Sequence, residues 1–293
     1  MNAIVTLRLL FLALATGLVS GAAQAQTSPA VPSLTQKAPP VTLGQVTLAT
    51  SAVFPDNQSI RSGLVWRVYE DKGDTTQPTI IARSTSPTPT FTLSPGNYIV
   101  HVAYGFAGAS KRLTIQAGAL SDRLVISAGA LKLKGAVGDS SIPGSKLSFS
   151  VYVPIGSNSE GRLVIANARA DDVIRLPEGT YHVVSTYGDA NAIMRADLKV
   201  ETGKVTEATL NHRAATVTLK LVAAQGGEAF AGTAFSVLTP GGDVIREAIG
   251  AFPSVTLAEG DYVLIARHDG KVHTRDFKVE SGLDRDIEIV AKP

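Results

Sequence analysis

One short pattern recurs three times at a spacing that decides the architecture. Leu93-Ser-Pro-Gly-Asn-Tyr98-Ile-Val100, Leu176-Pro-Glu-Gly-Thr-Tyr181-His-Val183 and Leu257-Ala-Glu-Gly-Asp-Tyr262-Val-Leu264 share the form Leu-x-x-Gly-x-Tyr-x-(Val/Leu), with tyrosines 83 and 81 residues apart (98 to 181, 181 to 262). The match continues in register on both sides. Tyr104, Tyr187 and His268 follow six residues after each tyrosine, and turn glycines Gly118, Gly203 and Gly282 follow further on, each preceded by Ile115, Val200 or Val279. Upstream, Trp66, Phe149 and Phe235 hold one equivalent position, each followed at the second residue by Val68, Val151 or Val237. Self-similarity at this period means three tandem copies of one structural unit, each long enough to bury a core of its own.

Within a unit every periodic segment has period two. In the second copy Leu147, Phe149, Val151 and Val153 share one face of a strand, and Leu131–Lys134, Leu163–Ala166, Val173–Leu176, Tyr181–Tyr187, Ala196–Val200 and Val205–Leu210 complete seven. Short alternating runs bounded by Gly, Pro, Asn, Asp and Ser are strands, and no segment reads as a capped amphipathic helix. Seven such strands in about 80 residues form a β-sandwich. The fold class is therefore all-β: three tandem seven-stranded sandwiches of immunoglobulin or prealbumin type, over residues 41–128, 129–212 and 213–293.

A processing segment precedes them. Residues 1–25 carry Arg8 as their one charge, an apolar run from Leu9 to Val19, and small residues ending Ala23-Gln24-Ala25. That is a signal peptide with cleavage expected after Ala25; the run is shorter than the roughly 20 residues that span a bilayer, and no later stretch is apolar enough to do so. Residues 26–40, rich in Pro, Ser, Thr and Ala, read as a flexible linker. The protein is expected to be exported, to the periplasm or beyond. The formal net charge is +2, with no dense Lys/Arg patch, so nucleic acid is not an expected partner. The absence of cysteine removes thiol catalysis, thiolate zinc sites and iron–sulfur clusters.

The glycine before each tyrosine is expected to take φ > 0, and the tyrosine to bury its ring while its hydroxyl bonds to nearby backbone, as in the tyrosine corner of immunoglobulin-like sandwiches. Leu-Pro-Glu-Gly-Thr-Tyr181 and its looser copies resemble the motif of PEGA domains and of carboxypeptidase-regulatory-like (transthyretin-type) sandwiches. The resemblance spans all three units; only the second carries Leu-Pro-Glu-Gly, the first having Ser-Pro-Gly and the third Ala-Glu-Gly. It implies a non-catalytic accessory module of the cell envelope, associated with anchoring, protein interaction or glycan contact.

No catalytic constellation stands out. There is no Gly-x-Ser-x-Gly elbow, no spacing links a serine to a histidine and an acid, and no cofactor is expected. The five histidines are His101, His182, His212, His268 and His273; His101 and His182 fall on the strand face opposite the tyrosine and are expected to meet solvent. In His268-Asp-Gly-Lys-Val-His273, Asp269-Gly270 forms a two-residue hairpin turn that makes the two histidines diagonal neighbours. They are a candidate metal pair without a third ligand, against the plainer reading of a polar hairpin tip. Trp66, aligned with Phe149 and Phe235, belongs in the core; only if exposed would it offer a sugar-stacking platform. The insertion Tyr69–Pro78 distinguishes the first unit, and Tyr69, Glu70, Asp71, Lys72 and Asp74 form the expected contact loop. The functional expectation is a non-enzymatic exported envelope protein, an interaction or spacer array whose partner is another envelope protein. The alternative is a binder of surface polysaccharide or peptidoglycan, and a hydrolase on a transthyretin-like fold is the third.

Overall fold

The computed structural model describes residues 44–73, 78–116 and 118–292; the expected signal peptide and linker lie outside them. The first unit contains β1 (Val46–Val53), β2 (Leu64–Glu70), β3 (Ile80–Ser84), β4 (Thr90–Leu93), β5 (Gly96–Tyr104), β6 (Ala107–Ile115) and β7 (Leu120–Val125). The second contains β8 (Ala128–Val137), β9 (Ser140–Ser141), β10 (Leu147–Ile155), β11 (Asn158–Ala168), β12 (Val173–Pro177), β13 (Gly179–Tyr187), β14 (Ala192–Val200) and β15 (Val205–Asn211). The third contains β16 (Ala214–Val222), β17 (Ala234–Leu238), β18 (Val244–Ile249), β19 (Ser254–Ala258), β20 (Gly260–His268), β21 (Lys271–Val279) and β22 (Arg285–Val290). Each unit has the seven strands expected from its alternation; the second adds only the two-residue β9, paired with β8. No helix among the described residues is long and apolar enough to cross a membrane.

The topology is the same three times. A three-stranded sheet (β4-β1-β7, β12-β8-β15, β19-β16-β22) faces a four-stranded sheet (β3-β2-β5-β6, β11-β10-β13-β14, β18-β17-β20-β21). First and last strands of each unit pair in parallel, β1 with β7, β8 with β15 and β16 with β22. Because they run the same way, the chain leaves each unit at the end opposite the one where it began, which lets the next unit start without a long return loop. In the second and third units the turn leading to the last strand closes on the first: Gly203 donates its N–H to the Ala128 carbonyl at 2.8 Å and Gly282 to that of Ala214 at 2.9 Å.

Three separate apolar clusters fill the sandwiches. Trp66, Phe149 and Phe235 lie at their centres, 0%, 0% and 1% exposed. Burying an aromatic ring of this size contributes on the order of 2–3 kcal/mol, which explains why the equivalent position stays large and apolar. The corner tyrosines behave as expected. The Tyr98, Tyr181 and Tyr262 hydroxyls donate to the carbonyls of Ser94, Pro177 and Ala258 at 2.7, 2.9 and 2.8 Å, in each case four residues back. Burial raises the Tyr98 and Tyr181 hydroxyls above the ordinary tyrosine value. The expected positive φ is present at Gly179 and Gly260, at 159° and 158° near the extended margin, and is corrected at Gly96, which is not among the positive-φ residues. A Cβ on Gly96 would stand 3.5 Å from the Tyr98 hydroxyl, an ordinary contact, so space beside the tyrosine does not by itself require glycine here.

Units are joined by one repeated contact. The β5–β6 turn of the first unit packs on β12 of the second: Phe106 donates its N–H to the Arg175 carbonyl at 3.0 Å, and the Arg175 guanidinium lies 5.1 Å from the Tyr104 ring centre. Gly105 touches the facing backbone so closely that a Cβ there would be 2.6 Å from Arg175 Cβ and 2.7 Å from its carbonyl oxygen. At the next joint the β13–β14 turn packs on β19, where a Cβ on Gly188 would be 2.7 Å from Thr256 Cβ. Asn191 then donates from its amide to the Tyr262 hydroxyl at 2.9 Å and accepts from the Ala258 N–H at 3.0 Å, while Arg246 pairs with Asp189 at 2.5 Å. Gly105 and Gly188 each follow the corner tyrosine by seven residues, and Arg175 and Thr256 each precede theirs by six.

Candidate functional site

The expected contact loop starts at the end of β2. Tyr69 and Glu70 are strand residues, paired with β5 opposite Ile99 and Tyr98. Asp71 holds the turn together: its N–H donates to the Asn97 carbonyl at 2.9 Å, its carboxylate accepts from the Gly73 N–H at 3.2 Å and meets Arg112 at 3.2 Å. Lys72 pairs loosely with Glu70 at 3.4 Å. Exposed pairs of this kind contribute well under about 1 kcal/mol. Asp74 lies outside the described residues. The described part of the loop is thus a solvated turn whose charges are already matched within the first unit.

The expectation of solvent-facing strand histidines is overturned at His182, which is 6% exposed. It stands in a cross-strand row with Tyr152 and Asp197 on the outer face of its sheet, with Nδ1 2.6 Å from the Asp197 carboxylate and Nε2 buried without a partner. Glu160 on β11 accepts from Arg195 on β14 at 3.1 Å, linking the two edge strands of this sheet. His101, half-buried, is held below the ordinary histidine value by burial and by the neighbouring Arg67. The structure also joins a serine to a histidine that no spacing linked: Ser185 Oγ is 2.8 Å from His212 Nε2. Both are buried, Ser185 fully, and His212 packs edge-on to Tyr187. Burial lowers His212, opposed by the Ala192 backbone carbonyl. A serine without solvent access cannot meet a substrate; the pair satisfies two polar groups inside the second core. Trp66, fully buried, offers no sugar platform.

The β20–β21 hairpin end of the third unit brings the remaining candidates together. Asp269 and Gly270 take φ 46° and 74°, the doubly positive two-residue turn that matches strand twist. His268 faces Lys271 and Ala266 faces His273 across the hairpin, so both histidines lie on the face that carries the buried Ala266 and point between the two sheets. There they line a cleft of about 430 Å³ with Phe230, Leu221, Lys271 and Lys292. A second recess of about 540 Å³ adjoins it along Lys271, His273 and Lys292. The His268 ring stacks on Phe230, with centres 5.0 Å apart and planes 9° off parallel; its Nε2 is 3.4 Å from the Asp269 carboxylate. No group of three or more His, Asp or Glu side chains able to hold a metal ion exists among the described residues, and the cleft is lined by two lysines, Lys271 and Lys292, whose positive charge opposes a cation nearby.

The molecule is therefore an array of β-sandwich units of the immunoglobulin/prealbumin-like class. A family model described as the Rhizobiales growth-associated tandem repeat domain matches residues 216–291, within the third unit. No curated protein matches the chain. Among solved structures, the chain is similar to the Bacillus anthracis TIE protein (15% identity, 85% of this chain and 50% of that one, TM-score 0.26). It is also similar to a Streptococcal ancillary pilin (12%, 85% and 99%, 0.29) and to BcpA, the major pilin subunit of Bacillus cereus (11%, 85% and 99%, 0.23). The chain spans half the length of the first of these. Likenesses this distant define neither partners nor chemistry.

Proposed function

We propose that this chain is a non-enzymatic exported cell-envelope protein whose three sandwiches, over residues 41–128, 129–212 and 213–293, hold an interaction surface at a set distance from its point of attachment. The repeated joint carries this reading. Two junctions built on the same close glycine contact fix each unit against the next, which a set of independent binding domains would not need. The signal-like segment with cleavage after Ala25 supports export to the periplasm or beyond, and the Leu-x-x-Gly-x-Tyr resemblance to PEGA and carboxypeptidase-regulatory-like modules supports an accessory role. The partner is another envelope protein, with the insertion at residues 69–78 as its contact.

The test places a photo-crosslinking residue at Lys72 in the living cell. One dominant envelope protein should be captured, and lost when residues 73–78 are replaced by a Gly/Ser linker with the photo-crosslinking residue kept at position 72. A diffuse set of products, or a captured protein indifferent to that replacement, would sink the assignment of the loop. Glycan binding is the second reading, favoured by one observation: the aromatic and cationic cleft of the third unit.

A further inference from the structure

Three equivalent sandwich ends can be compared within one chain. In the first two units the residue seven after the corner tyrosine is glycine, and the next unit packs against it with no space for a Cβ. In the third unit that residue is Asp269. Its side chain is 90% exposed, and its Cβ stands where Gly105 and Gly188 tolerate none. The third end is not built as another joint of this kind. It has instead the cleft of about 430 Å³, within the size range of small-ligand sites.

The lining of this cleft is of two kinds. Leu221 and the Phe230–His268 stack form an apolar and aromatic wall, and the cleft is lined by two lysines, Lys271 and Lys292, against one acidic residue among the described residues, Asp269; the Lys292 backbone N–H approaches His273 Nδ1 at 3.4 Å. Lysines act as point charges that attract carboxylate or phosphate without demanding a planar fork. A bare inorganic anion would leave the aromatic wall unused, and a neutral sugar would leave the ammonium groups unmatched. A ring with an apolar face and one negative group uses both.

We propose that the cleft between the β20–β21 hairpin and the end of β22 binds a carboxylate-bearing sugar unit of an acidic polysaccharide, its ring against the Phe230–His268 stack and its carboxylate near Lys271 and Lys292. This inference does not rest on the spacer reading and would survive its failure.

The experiment titrates the full chain with oligoglucuronate, with a neutral glucose oligomer of the same length, and with inorganic phosphate, following backbone amide shifts. Oligoglucuronate should saturate and shift amides confined to residues 268–274 and 289–292. The double variant K271A/K292A, both positions being exposed, should keep the wild-type melting midpoint and lose affinity about tenfold or more. Phe230→Leu, chosen over alanine to preserve packing, should weaken oligoglucuronate and leave any phosphate response unchanged. An equal response to the neutral oligomer, absence of saturation, or indifference of the lysine double variant would overturn the proposal. Phosphate binding as tightly as oligoglucuronate, with Phe230→Leu without effect, would overturn the sugar assignment and leave a simple anion site.

Discussion

Replacing Gly105 with alanine separates the joint from the fold that carries it. Two costs arise. Gly105 has φ 64°, where an L-residue loses about 1–2 kcal/mol. The new Cβ would also lie 2.6 Å from Arg175 Cβ and 2.7 Å from the Arg175 carbonyl oxygen. That carbonyl is backbone and cannot swing aside, so the hairpin must withdraw from β12. Withdrawal lengthens the Phe106 N–H to Arg175 carbonyl bond, a contribution of about 1 kcal/mol, and moves the guanidinium off Tyr104, about 0.5–1 kcal/mol at an exposed site. The joint should therefore lose roughly 2 kcal/mol, or about 30-fold in its closed-to-open ratio. The control is Gly138→Ala, where φ is 56° and nothing lies within 4 Å of the added Cβ, so it bears the backbone cost without the collision. Native-state hydrogen exchange of the Phe106 amide reads the difference, since that N–H bonds across the joint. It should exchange about 30-fold faster in Gly105→Ala than in wild type and unchanged in Gly138→Ala, and spin labels on the first and second units should show a broadened distance distribution. Equal exchange in the two variants would refute the claim that close backbone contact holds the joint.

The other expectations concern the cores. Tyr181→Phe removes one hydroxyl bond to the Pro177 carbonyl and should cost about 1 kcal/mol in urea unfolding, while Tyr262→Phe should cost about 2 kcal/mol, because that hydroxyl also accepts from Asn191. The pH dependence follows from His212 and His101, whose folded values are depressed below the ordinary 6.5 by burial. The unfolded chain then binds more protons, so stability should be full above about pH 6.5 and decline as pH falls through the depressed folded values; His212→Gln should flatten that decline, and an undiminished slope would assign it elsewhere. Trp66, the single tryptophan, should emit as a buried indole and resist iodide quenching until the chain unfolds.

Much of this fold was legible because its signals are local and come three times. Strand alternation, the corner tyrosine and its hydroxyl bond, the Asp269-Gly270 turn and the central aromatic each depend on residues within a few positions of one another, and three copies remove the ambiguity of any single one. The unread features are those made by distance in sequence. His182 lies on the face that alternation assigns to solvent, yet it is buried, its ring held against Asp197 on the neighbouring strand. Ser185 and His212 meet only because β13 and the end of β15 belong to the same core. The positive φ expected at Gly96 is absent although the same motif has it at Gly179 and Gly260, so the motif does not fix the backbone angle at this position. The joints did leave a mark, the glycine seven residues after the corner tyrosine, but a glycine in a hairpin turn is already explained by the turn, and nothing local says that another unit presses on it.

That mark also shows why the third unit differs. If Gly105 and Gly188 served only their own turns, Asp269 would be an equivalent choice, since aspartate tolerates positive φ better than most residues and does so here. The joint rules it out: a Cβ at either inner position would meet a neighbouring unit at 2.6–2.7 Å. Glycine is thus retained where a neighbour docks and given up where, among the described residues, none does. The released position takes a charge, the hairpin beside it gathers Lys271, His268 and His273, and the sandwich end that would otherwise be covered becomes a cleft. Asp269→Gly should accordingly leave the third unit's stability within about 0.5 kcal/mol of wild type, because the turn accepts either residue. Gly188→Asp should loosen the joint between the second and third units, read as faster exchange of the Ala258 amide that donates to Asn191. Were the two substitutions to have equal effects on their units, the asymmetry between joint and cleft would have no structural basis.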